Sequence, residues 1–298
     1  MKPTFIGLGA QKCASTWLYR LFDNHPDAFV STSKELNFFS SFYERGSQWY
    51  ESHFAGASGR SAIGEISPSY FPDWDAPARA HAYDPNLCIL LALRDPVERA
   101  YSNHLHDIRL GHFKGSDLSF EAGLANNPMY LEQSRYARHL SRWQEFFPMD
   151  RMLIVLQEDI HADPQAQARH VYEFLGISTE QVSQFAGRRA NESYLPKSRS
   201  REKFIRSVGA LTRNIGLGWL DRLLRRTGMI SALHNRNRLE IRDFVPPLRD
   251  ETRARLYAAF AEDTMRLAAI TGRKSLPWKT WEQADLANAI TKPKPTSS

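Results

Sequence analysis

Apolar residues in this chain gather in short unbroken runs, and the runs alternate with stretches of helical period. Thr4–Leu8 is the first run and reads as a strand. Apolar positions three and four residues apart over Thr16–Asn24 read as the helix that follows, ended by His25-Pro26. Ala28–Ser31 and Ser61–Ile66 are further extended pieces, and Asn86–Leu93, "NLCILLAL", is the strongest strand signal. Asp95 and Pro96 after it suit an N-cap and first helical position. Arg151–Gln157, "RMLIVLQ", is a last core strand, and Gln165–Leu175 a helix. Runs without polar alternation suit strands covered on both faces. Strands alternating with helices imply an α/β layered fold, with a mostly parallel central sheet flanked by helices.

Beyond residue 190 the pattern changes. Asn191–Arg201, "NESYLPKSRSR", is polar and basic and is expected to be a loop. Phe204–Leu233 has a basic amphipathic helical pattern, whose apolar face packs on the core or meets a substrate or membrane surface. Glu251–Thr271 is a helix ended by Gly272, and the tail from about Leu286 is expected to fray. The expected organisation is one domain over 1–285, with 204–242 as a basic helical insertion that forms a lid, then a flexible tail over 286–298. No internal repeat occurs.

Composition narrows the class. The 298 residues are 42% hydrophobic and 24% charged, a globular balance with material for a substantial core. A net charge of +6 favours anionic partners: nucleotide, sulfated or phosphorylated substrate, nucleic acid or a membrane surface. Lysines and arginines are spread along the chain without a nucleic-acid motif, so no nucleic-acid partner is expected. The two cysteines, Cys13 and Cys88, form neither a metal pattern nor a disulfide framework and are expected to be free thiols. No apolar run approaches the roughly 18–20 residues that span a bilayer. With no secretory leader, a cytoplasmic location is expected.

Candidate chemistry starts at "FIGLGAQKCASTWL". Strand, small-residue turn, lysine, hydroxyls and helix, in that order, make a phosphate cradle, because a helix N-terminus offers orphan N–H donors and a positive dipole end. A P-loop needs glycine before its lysine and a hydroxyl directly after, yet Gln11 precedes Lys12 and Cys13 follows it. In a dinucleotide fingerprint the third glycine would stand where Lys12 does. Neither common motif fits. In "LLALRDPVERAYSNHLH", Arg94 stands at the carboxyl end of the core strand, with Ser102 two turns up the next helix. The pair can hold a further phosphate, Arg94 through a bidentate guanidinium. Alternatively Arg94 pairs with Asp95 or Glu98.

Together, in this order, "GAQKCASTWL" and "LRDPVERAYSNH" resemble the two nucleotide elements of sulfotransferases that use 3′-phosphoadenosine 5′-phosphosulfate. "STSKELNFFS", "GEISPSYF", "YARHLSRWQEFFP" and "NESYLPKSRSR" are similar to segments of the heparan-sulfate-type branch and its bacterial relatives. The resemblance implies a P-loop-NTPase-like three-layer fold and sulfuryl transfer to a hydroxyl or amine of a glycan, glycolipid or other small molecule, without a metal. It implies that Gln11, Lys12, Cys13, Ala14, Ser15, Thr16 and Trp17 surround the 5′-phosphate, with Lys12 on the leaving oxygen. Arg94 and Ser102 would take the 3′-phosphate, and Lys197, Ser198 and Arg201 would close over the nucleotide. Ala14 departs from the family's usual glycine. Glu35 maps to the base of the heparan-type branch, and Lys34, Phe38, Tyr70, His104 and Tyr136 are acceptor-side candidates. A histidine is the rival base: His104, His106, His53 or His25. Two histidines at i, i+2 face apart on a helix, so His104 and His106 are not a metal pair. Two other classes compete, a P-loop nucleotide kinase, separable by its response to magnesium chelation, and a non-catalytic anion-binding protein. Contact of 204–242 with a membrane surface is a further expectation.

Overall fold

A computed structural model describes residues 1–22, 25–180, 182, 194–196, 238–241 and 244–291. The chain resolves into two compact units. One comprises Met1–Asn103, Leu124–Asn191 and Leu248–Ser298; the other comprises His104–Gly123 and Glu192–Pro247.

The first unit is built on a sheet of five parallel strands: β1 (Phe5–Gly9), β2 (Ala28–Val30), β3 (Ala62–Ile66), β4 (Cys88–Leu93) and β5 (Met152–Leu156). Their order across the sheet is β2-β3-β1-β4-β5. Side chains alternate between two faces, and both faces are covered. Ile6, Leu8, Ile89, Leu91, Ile154 and Leu156 pack on one side with α2 (Gly46–Ser52), α3 (Ala76–Tyr83), α7 (Tyr136–Gln144) and residues near the C-terminus. Phe5, Leu90, Ala92, Leu153 and Val155 pack on the other with α1 (Ser15–Leu21) and α9 (Pro164–Phe174). This is the expected three-layer α/β fold with a P-loop-like central sheet. At Gly64 on β3, a Cβ would lie 2.3 Å from the Phe5 carbonyl oxygen, so only glycine lets β3 sit this close to β1.

Between those elements lie α4 (Pro96–Leu110), α5 (Phe120–Asn126), α6 (Met129–Glu132) and α8 (Gln157–Ala162). Asp95 caps α4 as its sequence predicts: Oδ1 accepts from the backbone N–H of Val97 at 2.9 Å and of Glu98 at 3.2 Å. The chain leaves β1 for β2 and β3 on one side, then crosses to β4 and β5 on the other. The carboxyl ends of β1 and β4 therefore flank a topological switch point, where an open α/β sheet leaves a crevice.

Three expectations change. Inside the stretch expected to be a loop, β6 (Tyr194–Pro196) pairs antiparallel with β7 (Arg238–Glu240), so the supposed helical insertion 204–242 also ends in a strand. Of that insertion, 204–237 and 242 lie outside the described residues. After α10 (Asp250–Ile270), α11 (Lys279–Thr291) carries regular structure well into the tail expected to fray from Leu286.

Candidate active site

The turn after β1 is held by close backbone approaches. Gly9 has φ +96°, and a Cβ there would meet the Pro68 Cα at 2.7 Å, so neither a side chain nor an ordinary backbone conformation fits. The Ala10 N–H donates to the Ala92 carbonyl of β4 at 2.7 Å, tying the loop to the strand that leads to Arg94. Lys12 and Ala14 follow in left-handed conformations, φ 68° and 62°. The N–H groups of Trp17 and Leu18 return to the Ala14 carbonyl, and Ala14, at the N-cap, has no side-chain acceptor to offer the first turn of α1. Gln11, Lys12, Ser15 and Thr16 are partly exposed at that end. Cys13 points into the core, its Sγ 3.6 Å from the Tyr136 hydroxyl, and burial pushes its thiol up to about 11. The position where an NTPase loop carries its metal-binding hydroxyl is thus an inward, protonated thiol.

The segment after β2 comes to meet this helix end. Lys34 Nζ donates to Thr16 Oγ1 at 2.8 Å and lies 3.7 Å from a carboxylate oxygen of Glu35. The Glu35 side chain is 47% exposed, so it can meet a solute. Glu35 and Asn37 both have positive φ, 61° and 51°, a conformation costly for non-glycine residues unless neighbours enforce it. The enforcing group is Glu65 on β3, whose carboxylate accepts from the Ser67 and Tyr70 hydroxyls, each at 2.6 Å, and from the Leu36 N–H. Ser67 Oγ in turn accepts from the Asn37 N–H at 2.9 Å, and the Tyr70 hydroxyl from the Phe38 N–H at 2.8 Å. Three consecutive amides, 36 to 38, thus hang on one buried acid. Burial raises the Glu65 carboxyl to about 7, with the hydroxyl and amide donors pulling the other way.

Past β4, Arg94 is 17% exposed, with Nη2 3.5 Å from Glu98 Oε2, one of the two pairings its sequence allows. Asp95 takes the other role, as cap and anchor. Its second oxygen accepts from the Thr280 N–H at 3.1 Å and from the Thr280 hydroxyl at 3.0 Å. Its own N–H donates to Glu158 Oε1 at 3.1 Å, and Glu158 Oε2 accepts from the Trp278 indole at 2.9 Å. Ser102 is partly exposed two turns up α4. The other arginine of the motif, Arg99, is buried, with Nε on Ser134 Oγ at 2.6 Å and Nη1 on Gln133 Oε1 at 3.1 Å. It braces α4 against the turn before α7 and is no ligand group.

Residues 2–204 match the profile of the sulfotransferase domain, two thirds of the chain. The chain belongs to the sulfotransferase family. Human heparan sulfate glucosamine 3-O-sulfotransferase 6 is 32% identical over 182 residues, covering 59% of this chain and 52% of that protein. Human bifunctional heparan sulfate N-deacetylase/N-sulfotransferase 3 is 30% identical over 194 residues, 59% of this chain and 22% of its own. The chain thus spans about half or less of the length of these curated relatives. A solved sulfotransferase from Alicyclobacillus acidocaldarius shares the fold at TM-score 0.67 and 23% identity, over 92% of this chain and 97% of its own.

In this family member, "GAQKCASTWL", "LRDPVERAYSNH" and the Lys34-Glu35 segment lie at the carboxyl edge of the sheet. Four acceptor-side candidates do not line a cleft. Phe38 is buried and stacked on Tyr50 with ring centroids 4.3 Å apart. Tyr70 and Tyr136 are buried, their hydroxyls used by Glu65 and Cys13. His104 is buried in the second unit, Nε2 2.9 Å from the Leu118 carbonyl and its ring between Phe113 and Phe120, and burial lowers its pKa. Of the rival bases, His25 bridges the Asp27 N–H and the Ser178 carbonyl as a structural ring. Lys197, Ser198 and Arg201 lie outside the described residues. Sequence reasoning passed over Glu65, although a lone acid in the buried run "AIGEI" was a visible signal. Arg253 and Thr280 carried no local signal.

Proposed function

We propose that this chain transfers a sulfuryl group from 3′-phosphoadenosine 5′-phosphosulfate to a hydroxyl or amine of a glycan-type acceptor. The observation that carries the reading is the Lys34 bridge. One side chain joins the candidate base, 3.7 Å away, to the first turn of the phosphate-loop helix through Thr16 at 2.8 Å. Proton acceptor and anion cradle are thereby held within one side chain's length of each other.

The residues fit that donor. The first turn of α1, with Lys12, Ser15 and Thr16, suits the 5′-phosphate end, while half-buried Arg94 and the Ser102 hydroxyl suit a 3′-phosphate. The donor supplies the sulfuryl group and a good leaving phosphate. Lys12 places positive charge where negative charge grows on the leaving oxygen, and preorganised charge of this kind is usually the largest catalytic contribution. Glu35 takes the proton that the attacking hydroxyl or amine loses. Lys34 keeps Glu35 in place and adds charge beside the transferring oxygens. The relatives' names give heparan sulfate glucosamine as what those proteins act on, and an amino-sugar glycan or glycolipid is the acceptor class we assign here.

Calorimetry with 3′-phosphoadenosine 5′-phosphate, ADP and 5′-AMP tests the donor half. The 3′-phosphorylated ligand should bind most tightly and lose that advantage in Arg94→Ala; equal binding of all three would sink the reading. Glu35→Gln should cut turnover about 10²- to 10⁴-fold with nucleotide affinity unchanged. Retained turnover would move the base elsewhere.

A further inference from the structure

The C-terminal helices lie beyond the family-matched residues 2–204, yet one of their side chains ends at the 3′-phosphate element. Arg253, in the first turn of α10, places Nη1 2.7 Å from Glu98 Oε1. The other Glu98 oxygen is 3.5 Å from Arg94 Nη2. Three charges of alternating sign thus stand in a row, all half-buried: Arg94 17%, Glu98 31% and Arg253 29% exposed. The acid is shared unequally, with its short, hydrogen-bonded contact on Arg253 and its long one on Arg94.

That asymmetry bears on anion binding. An arginine engaged by one carboxylate is neutralised, and an incoming phosphate must compete with the acid for the same N–H groups. A second cation on the acid weakens the competitor and leaves the trio with a net positive charge. Backbone geometry supports the same end, since Asp95, next to Arg94, is fixed by Thr280 and by Glu158.

We infer that Arg253 is a positioning residue for the donor site: it draws Glu98 away from Arg94 and keeps the Arg94 guanidinium available to the 3′-phosphate. This rests on the sulfotransferase reading of Arg94 given above. A different role for the same contact, a plain tie between α4 and α10, makes opposite forecasts.

The test is calorimetric binding of 3′-phosphoadenosine 5′-phosphate and of 5′-AMP to wild type, Arg253→Met, Arg253→Lys, Glu98→Gln and the Arg253→Met/Glu98→Gln double variant, with thermal unfolding of each. Arg253→Met should weaken the 3′-phosphorylated ligand by about five- to twentyfold and leave 5′-AMP unchanged. Arg253→Lys should stay within about threefold of wild type. The double variant should regain most of the lost affinity, because the competing acid is gone. A structural tie would instead weaken both ligands together, and the second substitution would rescue neither. That pattern, or an unchanged ligand ratio in Arg253→Met, overturns the inference while the donor reading stands. If wild type itself fails to prefer the 3′-phosphorylated ligand, the donor reading falls and the inference falls with it.

Discussion

Ala14 shows how much chemistry one Cβ can carry. The residue before α1 sits at φ 62°, ψ 19°, a left-handed turn that lets the loop reverse into the helix. An L-residue there costs about 1–2 kcal/mol in Cβ–carbonyl crowding, and glycine costs nothing. Glycine loses more freedom on folding, which returns roughly 0.4–1 kcal/mol. Ala14→Gly should therefore stabilise the fold by about 0.5–1 kcal/mol, read from urea unfolding. Ala14→Val should destabilise it, because a β-branched side chain tolerates this region worst. A destabilised Ala14→Gly would show that the turn is not the strained element it looks to be. Lys12, at φ 68°, carries the same cost, and its amine is the cation of the proposed donor site. Two strained residues flanking Cys13 suit the preorganised anion loop proposed above.

At the scale of elements, β3 does more than complete a sheet. It carries Glu65 into the interior, and Glu65 suspends the segment that presents Glu35. The carboxyl titrates near 7 in the folded state against an ordinary 4.5, so between those values the folded protein holds a proton that the unfolded chain has released. Stability should therefore fall as pH rises from about 4.5 to about 7 and level off above, by roughly 3 kcal/mol from this group. Glu65→Gln cannot ionise, so unfolding free energies measured from pH 5 to 8 should show a flatter profile than wild type; parallel profiles would refute the assignment. The strands were legible because buried parallel strands are apolar runs, as in Asn86–Leu93, and the α4 cap because Asp95-Pro96 is a local signal. The β6–β7 pair was not, because three-residue strands more than forty positions apart leave no period and are defined only by each other. Phe38 is a related case. An aromatic run beside a candidate base reads equally as cleft lining or as core, and the stacking of Phe38 on Tyr50 puts it in the core.

At the scale of the molecule, the family-matched stretch is not a self-sufficient body. Leu267, Ala268, Leu276 and Trp278, all at most 4% exposed, belong to the same core cluster as β1 and β4 residues. Polar contacts follow the same path: Asp263 accepts from the Ala137 N–H at 3.0 Å and the Arg138 N–H at 3.2 Å at the start of α7, Thr280 holds Asp95, and Trp278 holds Glu158. A chain cut after residue 204 would open one face of the sheet, leave Asp95 and Glu158 short of donors, and strip the first turn of α7 of its acceptor. Losing a buried tryptophan alone typically costs about 3–5 kcal/mol, against total stabilities of roughly 5–15 kcal/mol. The fragment 1–204 should therefore lack near-ultraviolet dichroism, bind a hydrophobic dye and unfold without a cooperative transition. Adding a separate 248–291 peptide should restore cooperativity in proportion to its concentration, as any ligand of the folded state does. A fragment that unfolds cooperatively on its own would show that α10 and α11 decorate the core rather than complete it. Arg253 would then be read as an addition to a finished donor site, with its effect on nucleotide affinity separable from its effect on folding.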